Sequence, residues 1–251
     1  MLKMTVRILV AAMVPMVLGR AASVAQAEAP EGFKSLFNGK DLTGWEGNKD
    51  FWSVEDGAIT GQTTKDKPTK GNTFLLWKDG KPADFELRIK FKLLSHNSGV
   101  QFRSKELPDY VMSGYQADVD YGNTYTGSLY EERGRGVMVK RGTKVVVNSD
   151  GKKEVAGQTA EEKEIVASIK KDDWNEYVII CQGNHVVQKL NGLTTVDLTD
   201  NQESKRAMSG LIGLQLHAGQ PMKVQFKDIY LKEMKAATSQ ASATTDAKEP
   251  R

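Results

Sequence analysis

The sequence predicts an all-β protein with one folded domain, built as a sandwich of two antiparallel sheets. Three observations support this prediction. Apolar and polar residues alternate over several segments, turns rich in Gly and Asn separate these segments, and helix signals are sparse. Ten or so short strands separated in this way favour a two-sheet sandwich over a fold of alternating strands and helices.

The clearest strand spans residues 85–91. Every second side chain from Phe85 to Phe91 is apolar, and the three between them are charged, so one face of this strand is expected to be buried and the other solvated. Residues 174–198 repeat the alternation, with Gly183-Asn184 and Asn191-Gly192 between the apolar segments. Because such pairs favour tight hairpin turns, this region is predicted to form a three-stranded meander.

Further strands are expected over residues 52–59, 73–77, 99–103, 115–119, 136–140 and 210–217. In residues 223–234 the apolar positions change parity, which predicts a β-bulge near Lys227-Asp228. The best helix signal is a short acidic stretch over residues 159–163. Two loops are expected, over residues 62–71 and 120–135, and the second combines tyrosines, acids and arginines in the manner of a binding loop.

Both ends of the chain are expected to lie outside the folded domain. Residues 1–27 have a basic start, the apolar run 8–18 and an Ala-Gln-Ala site, which together predict a signal peptide cleaved after Ala27 and export to the periplasm or the medium. The run is shorter than the ~20 residues of a membrane span, so none is expected, and a retained N-terminal anchor is the alternative. Residues 236–251 have no large apolar side chain and predict a disordered tail, which leaves 28–235 as the domain.

The charge balance excludes several partners. The net charge of +3 comes from Lys3, Arg7 and Arg20, and without these three residues 32 basic residues stand against 32 acidic ones. A balanced domain offers no electrostatic attraction for nucleic acid or anionic lipid. The chain has one cysteine, Cys181, and therefore cannot form an internal disulfide.

A polar strand face is the first candidate for a functional site. Gln116, Asp118 and Asp120 alternate along one predicted strand and share a face, and three polar groups without partners are costly to bury. They are therefore expected to line a groove, although an ordinary solvated sheet face is the alternative. Gln101 and Arg103 share a face of another strand and are expected to join that groove.

Two further segments supply groups for acid and base chemistry. Glu131 and Glu132 are adjacent, so on an extended segment only one of them enters the groove, and Arg135 is expected to hold a loop carboxylate or bind ligand hydroxyls. Gln215 and His217 share the wet face of another strand. A solvated charge cluster and a hydrogen-bonded structural histidine are the alternatives.

Several catalytic motifs are absent from the sequence. It has no Gly-x-Ser-x-Gly elbow, phosphate loop or dinucleotide fingerprint, and no closely spaced histidine pair. Serine-hydrolase, kinase and dehydrogenase functions are therefore not predicted, and neither is a cofactor or a defined metal site. A divalent cation at the rim stays an open alternative.

Taken in order, a set of short motifs resembles the 3-keto-disaccharide hydrolase family over almost the whole domain. The matching segments are Gly32-Phe33, Leu36–Trp45, Trp52–Gly57, Asn97–Arg103, Gly114–Asp118, Trp174–Tyr177, Asn191-Gly192 and Gly213–His217. The resemblance implies a concanavalin A/laminin-G-like jelly-roll sandwich, in agreement with the alternation.

The resemblance also implies an activity. Characterised relatives act as 3-keto-glucoside 1,2-lyases and 3-keto-2-hydroxyglucal hydratases, on sugars that a separate 3-oxidoreductase has oxidised. A ketone at the third carbon acidifies the hydrogen on the second, so a base can remove it and the aglycone can leave before water adds. The implied function is an exported, carbohydrate-active enzyme whose substrate is a 3-keto-glycoside.

On this resemblance, roles are assigned as hypotheses to the groove residues: Asp118, Glu132 or Glu131 as base, His217 as proton donor or partner of the base, Gln116 and Arg103 as binders of the enolate or of hydroxyls, Gln101, Gln215 and Arg135 as further polar contacts, and Tyr130 as a stacking surface. The competing class is a non-catalytic lectin or laminin-G-like module that binds carbohydrate, because the same sandwich serves that purpose.

Overall fold

The computed structural model of the 251-residue chain describes residues 28–234. The predicted signal peptide over 1–27 and the predicted tail over 236–251 lie outside the described residues. Within them, the strands are β1 Lys34–Ser35, β2 Trp45–Glu46, β3 Trp52–Glu55, β4 Ala58–Gln62, β5 Thr73–Trp77, β6 Phe85–Leu93, β7 Asn97–Leu107, β8 Val111–Asp120, β9 Leu129–Glu132, β10 Gly136–Val139, β11 Thr143–Val147, β12 Lys153–Gln158, β13 Asn175–Gln182, β14 His185–Leu190, β15 Leu193–Asp200, β16 Leu211–Leu216 and β17 Lys223–Glu233. A 3-10 turn spans Pro108–Tyr110 and a helix, α1, spans Glu162–Ser168.

The strands form two sheets. The larger sheet has the order β12-β11-β15-β14-β13-β6-β17-β4-β3, with β1 added beside β17, and the smaller has the order β10-β9-β8-β7-β16-β5-β2. Neighbours are antiparallel except β11 and β15, which run parallel. The two packed sheets confirm the predicted all-β sandwich.

Alternating side chains from both sheets fill the core between them. The apolar side chains from Phe85 to Phe91 on β6 are buried, as the alternation predicts, and the Phe85 ring meets Phe102 of the smaller sheet at 6.4 Å between centroids. On β8, Tyr115 and Ala117 face this core. Because side chains alternate along a strand, the residues between them face the outer side of the smaller sheet.

Several element predictions are confirmed. β13, β14 and β15 form the meander, with Gln182 opposite His185 and Leu190 opposite Leu193 around its two turns. The register of β17 against β6 shifts after Lys227, where Asp228 has a φ of +49°, which confirms the bulge.

Three element predictions need correction. Residues 52–59 form a hairpin rather than one strand, because Asp56 and Gly57 both have positive φ and turn the chain between β3 and β4. The helix starts at Glu162 and not at residue 159. The segment 120–135 is not one loop, since it contains β9, and the loop between β8 and β9 covers residues 121–128 only.

Candidate active site

An open cavity of about 300 Å³ lies on the outer side of the smaller sheet. It is lined by Asn72, Asn97, Gln116, Asp118, Tyr125, Tyr130, Glu132, Val137, Gln215 and His217. The cavity therefore brings together six of the residues singled out by the sequence, namely Gln116, Asp118, Tyr130, Glu132, Gln215 and His217.

Strand pairing explains why these side chains converge. Gln116 and Asp118 alternate on β8, and Gln116 lies opposite Tyr130 of the neighbouring strand β9. On the other side, β7 separates β8 from β16, and its outward residue opposite Asp118 is Gly99. A Cβ at Gly99 would stand 2.5 Å from the Gln116 side chain, so only glycine leaves room for that amide.

A buried chain of amides orients the first carboxylate. Ser104 donates its hydroxyl to the Gln101 side-chain oxygen, and Gln101 Nε2 donates to Gln116 Oε1 at 3.0 Å. Gln116 Nε2 then donates to Asp118 Oδ1 at 2.9 Å. Gln101 is fully buried and lies behind the cavity, so it positions Gln116 and does not line the cavity.

The second carboxylate, Glu132, is held more loosely. Asn72 Nδ2 contacts Glu132 Oε1 at 3.4 Å, and Gln215 Nε2 contacts Oε2 at 3.5 Å. Both contacts are near the upper limit for hydrogen bonds. The Glu132 carboxylate can therefore exchange them for a ligand at little cost.

The environment of Asp118 makes its carboxyl a neutral-pH acid or base. Only 8% of Asp118 is exposed, and burial raises the pKa of this carboxyl from 3.8 to about 7. The charges of Asp120 and Glu132 raise the pKa further, and the hydrogen bond from Gln116 opposes the shift. A carboxyl with a pKa near the working pH is suited to taking up and returning a proton.

The hydrogen bonds of His217 define its tautomer. Its Nδ1 lies 2.7 Å from the Ala218 carbonyl oxygen, and His96 Nε2 lies 3.0 Å from the same oxygen. A carbonyl only accepts, so both nitrogens carry a hydrogen. In neutral His217 the lone pair is therefore on Nε2, which is left for proton exchange with a ligand.

The loop over residues 121–128 completes the rim of the cavity. Asp120, which the sequence placed on the polar face, accepts hydrogen bonds from the backbone N–H groups of Thr124, Tyr125 and Thr126 and so folds this loop. Tyr125 is half exposed at the rim. From the core side, the Tyr177 hydroxyl donates to the Asp118 carbonyl oxygen at 2.5 Å and accepts from the Gly127 N–H at 2.8 Å.

The structure places Arg103 away from the cavity. The pairing of β7 with β8 shifts between Phe102 and Lys105, and Arg103 has a φ of +45°, so this bulge breaks the alternation and turns the side chain inward. Only 1% of it is exposed, and its guanidinium donates to three backbone carbonyls and to Asp84. Arg103 therefore fastens the fold and does not reach a ligand in the cavity.

Glu131 and Arg135 also lie outside the cavity. As adjacent residues on β9, Glu131 and Glu132 face opposite ways, and it is Glu132 that lines the cavity. Arg135 pairs with Glu131 at 2.6 Å and with the buried Asp200 at 2.7 Å. The Tyr115 hydroxyl also donates a hydrogen bond to the Asp200 carboxylate. These residues form an ion network in the protein interior.

Sequence reasoning missed four cavity residues. Asn72 reaches the site from a distant part of the chain. Asn97 and Val137 reach it through strand pairing, on β7 beside β8 and on β10 beside β9. Tyr125 was part of the predicted binding loop but was not singled out. Within residues 28–234, no three His, Cys, Asp or Glu side chains cluster closely enough to hold a metal ion. No helix in the same range is long and apolar enough to cross a membrane.

Among the solved structures with a similar fold are proteins from two bacteria. A putative glycosyl hydrolase from Parabacteroides distasonis is 21% identical, with a TM-score of 0.54, over 80% of this chain and 99% of that chain. A second structure of that description from the same organism has the same identity and TM-score, over 82% and 95%. A Bacillus subtilis protein of unknown function with a galectin-like fold is 12% identical, with a TM-score of 0.51, over 78% and 92%. At these identities the likeness concerns the fold, and it confirms the predicted concanavalin A/laminin-G-like jelly-roll sandwich.

No curated protein matches the sequence significantly. A family model does match it, and that match covers nearly all of the described residues. The model is that of the 3-keto-alpha-glucoside-1,2-lyase-like domain, and it matches residues 32–232. The chain therefore belongs to this family of carbohydrate-active proteins, as its motifs predict.

Proposed function

We propose that this chain is an exported enzyme that cleaves 3-keto-glycosides by elimination followed by hydration. The observation that carries the proposal is the buried Asp118 carboxyl, whose pKa is about 7, on the floor of a polar cavity that also holds Glu132 and His217. A module that only binds sugar has no need for a carboxyl with such a pKa. Proton abstraction next to a ketone does need one.

The first half of the reaction is an elimination. Ionised Asp118 takes the proton from the second carbon of the oxidised ring, and the electron pair passes to the ketone oxygen as an enolate. When the electron pair of the enolate returns to the ring, a double bond forms between the first and second carbons. The bond from the first carbon to the glycosidic oxygen breaks in the same step. Protonated His217 gives the departing oxygen its proton from Nε2, so the aglycone leaves as an alcohol.

The second half returns both protons. Neutral His217 accepts a proton from water at Nε2 while the hydroxyl adds to the first carbon, and Asp118 gives its proton to the second carbon. The net change is one glycoside plus one water to a free 3-keto sugar plus an alcohol. No covalent enzyme intermediate forms, which agrees with an amide, Gln116, beside the catalytic carboxyl.

The remaining cavity residues bind and orient the sugar. The amides of Gln215 and Asn72 line the cavity together with Asp118 and His217, and both contact Glu132. From there they can hold ring hydroxyls. Tyr130 and Tyr125 offer aromatic faces at the wall and rim, and such faces stack on the apolar side of sugar rings.

The proposal is tested with the mature protein, residues 28–251, incubated with 3-keto-trehalose and with unoxidised trehalose in D₂O. We expect free sugar from the keto substrate alone. The 3-keto product should carry deuterium at the second carbon, because the Asp118 carboxyl exchanges its proton with D₂O before it returns one to that carbon. The Asp118→Asn variant and a reaction without enzyme measure spontaneous exchange. A keto substrate that binds and survives would show a carbohydrate-binding module, and release without deuterium would contradict the elimination.

The proposal also includes where the enzyme acts and which kind of enzyme produces its substrate. The basic start, apolar run and Ala-Gln-Ala site of residues 1–27 support export to the periplasm or the medium. Because the reaction needs a ketone at the third carbon, a separate sugar 3-oxidoreductase has to act first. N-terminal sequencing of the exported protein is expected to begin at Glu28, and a start at Met1 would contradict the cleavage.

A further inference from the structure

A second histidine, His96, lies beside the proposed proton donor His217. The two imidazole rings are 4.8 Å apart between centroids and are nearly perpendicular, at 78°. His96 stands in the turn between β6 and β7, directly before Asn97, and both histidines are half-buried. Asn97 and His217 line the cavity, and His96 stands behind that lining. Any effect of His96 on a bound ligand therefore has to pass through a neighbouring group.

Backbone hydrogen bonds fasten the turn that carries His96. The Leu94 N–H donates to the Lys223 carbonyl at 2.9 Å, and the Lys223 N–H donates to Ser95 Oγ at 3.1 Å. The His96 carbonyl accepts from the Tyr121 N–H at 2.8 Å. None of these three bonds uses the side chain at position 96. A substitution there therefore removes the imidazole and leaves the bonds that hold the turn.

The two histidines meet at the Ala218 peptide unit. Its carbonyl oxygen lies 2.7 Å from His217 Nδ1 and 3.0 Å from His96 Nε2. A carbonyl oxygen has two lone pairs, so it accepts both hydrogen bonds at once. On the other side, the Ala218 N–H donates to Asn72 Oδ1 at 3.0 Å. The peptide unit is thus held at both ends, which keeps its oxygen beside Nδ1 of His217.

The backbone conformation shows that the turn itself does not require an imidazole. His96 has a φ of +64°, which glycine adopts without steric cost and other residues adopt rarely. Residues in this conformation are concentrated at functional sites. A Cβ at Gly219 would stand 3.1 Å from His96 Nε2, so the glycine after Ala218 lets the imidazole approach this peptide. What the His96 side chain adds is its hydrogen bond to the Ala218 oxygen.

We propose that His96 is a positioning residue for His217. It holds the Ala218 carbonyl as the acceptor for His217 Nδ1, which keeps the hydrogen on Nδ1 and leaves Nε2 to exchange protons with the substrate. This inference rests on the proposed function, whose two halves use Nε2 first as a donor and then as an acceptor. A neutral His217 with its hydrogen on Nε2 could not take a proton from water there, so the hydration would stop.

The experiment uses two variants with the same functional group and different reach. His96→Gln places an amide donor at about the distance of the imidazole Nε2. His96→Asn carries that amide on a side chain that is one carbon shorter, in a residue that tolerates positive φ. The control is His185→Gln, because His185 lies on β14 and contacts Asp197 of the larger sheet, 2.8 Å away.

The first measurement is the tautomer of each imidazole. The chain has three histidines, so nuclear magnetic resonance of the mature protein, labelled at histidine with the heavy nitrogen isotope, can resolve each ring at alkaline pH, where imidazoles are neutral. We expect the hydrogen of His217 on Nδ1 in the wild type, in His96→Gln and in the control. In His96→Asn we expect a mixture of both tautomers.

The second measurement is the rate of sugar release from the keto substrate. In His96→Asn, kcat should fall about tenfold, the equivalent of one hydrogen bond. KM should stay nearly constant, since His96 lies behind the residues that line the cavity. His96→Gln should restore most of the lost rate, and the control should match the wild type.

Two results overturn the inference. One is a His217 tautomer in His96→Asn that is the same as in the wild type, and the other is equal kcat in His96→Asn and His96→Gln. If the wild-type protein releases no sugar from the keto substrate, the lyase function fails, and the tautomer alone decides the role of His96. A shift in His96→Asn that is absent in His96→Gln then supports the positioning of His217, and no shift refutes it.

Discussion

Replacing Asp118 with Asn tests the site because it is expected to change stability and activity in opposite directions. The shift of this pKa from 3.8 to about 7 means that ionising the carboxyl costs the folded state about 4 kcal/mol, at about 1.4 kcal/mol per pKa unit. The folded protein binds this proton more tightly than the unfolded chain. The stability that this bound proton contributes is therefore fully present below about pH 4 and is lost as the pH rises through 7.

Asn has nearly the same shape as Asp and never ionises. The Asp118→Asn variant should therefore be more stable than the wild type by about 2 kcal/mol near pH 5 and by about 4 kcal/mol above pH 8. Its side-chain oxygen can still accept the hydrogen bond from Gln116. Its kcat/KM should fall at least ~100-fold, the usual contribution of a general base.

The assay is urea unfolding of both proteins across this pH range, together with the release of sugar from the keto substrate. Asp200→Asn is the matched control, because Asp200 is as deeply buried but pairs with Arg135, and losing that pair should destabilise the fold by about 3 kcal/mol. A destabilised Asp118→Asn variant at alkaline pH, or one with nearly full activity, would refute the reasoning. In the wild type, kcat/KM should rise with pH as the Asp118 carboxyl ionises around pH 7, since the base acts when ionised.

Four further substitutions separate the residues that stabilise the fold from those that shape or line the cavity. Glu132→Gln should lower kcat/KM at least ~10-fold with little change in unfolding free energy. Glu131→Gln should lower the unfolding free energy by about 3 kcal/mol, because it breaks the ion pair with Arg135. Equal effects of the two changes would contradict this separation. Gly99→Ala should push the Gln116 amide aside and lower kcat/KM about tenfold in steady-state assays. It should also lower the unfolding free energy by about 1–3 kcal/mol. Full activity would show that the amide is not needed. Arg103→Lys should destabilise by about 3 kcal/mol in thermal or urea unfolding, since an ammonium cannot satisfy the same buried carbonyls, and an unchanged midpoint would count against the structural role.

Strand parity predicted most of the site. Alternation alone placed Gln116 with Asp118 on β8 and indicated that one of Glu131 and Glu132 faces the cavity, because side-chain direction in a regular strand depends only on position. The same rule failed at Arg103. There a bulge with positive φ interrupts the strand, and no local pattern in the sequence marks it.

Long-range partners were beyond sequence reasoning. Asn72 and Glu132 are 60 positions apart, and Arg135 meets Asp200 65 positions away. Such pairs depend on the order of the strands in the two sheets, which alternation does not specify.

The Tyr177 hydroxyl has a consequence for how selectivity can evolve in this site. It belongs to the larger sheet, yet it binds the carbonyl behind Asp118 and the N–H of Gly127 at once, so the floor of the cavity is anchored to the core of the protein. A floor fixed in this way needs no rearrangement when a sugar arrives, which lowers the cost of the reaction. New substrate preferences should therefore arise in the walls and rim formed by Asn72, Tyr125 and Val137, while the floor stays the same.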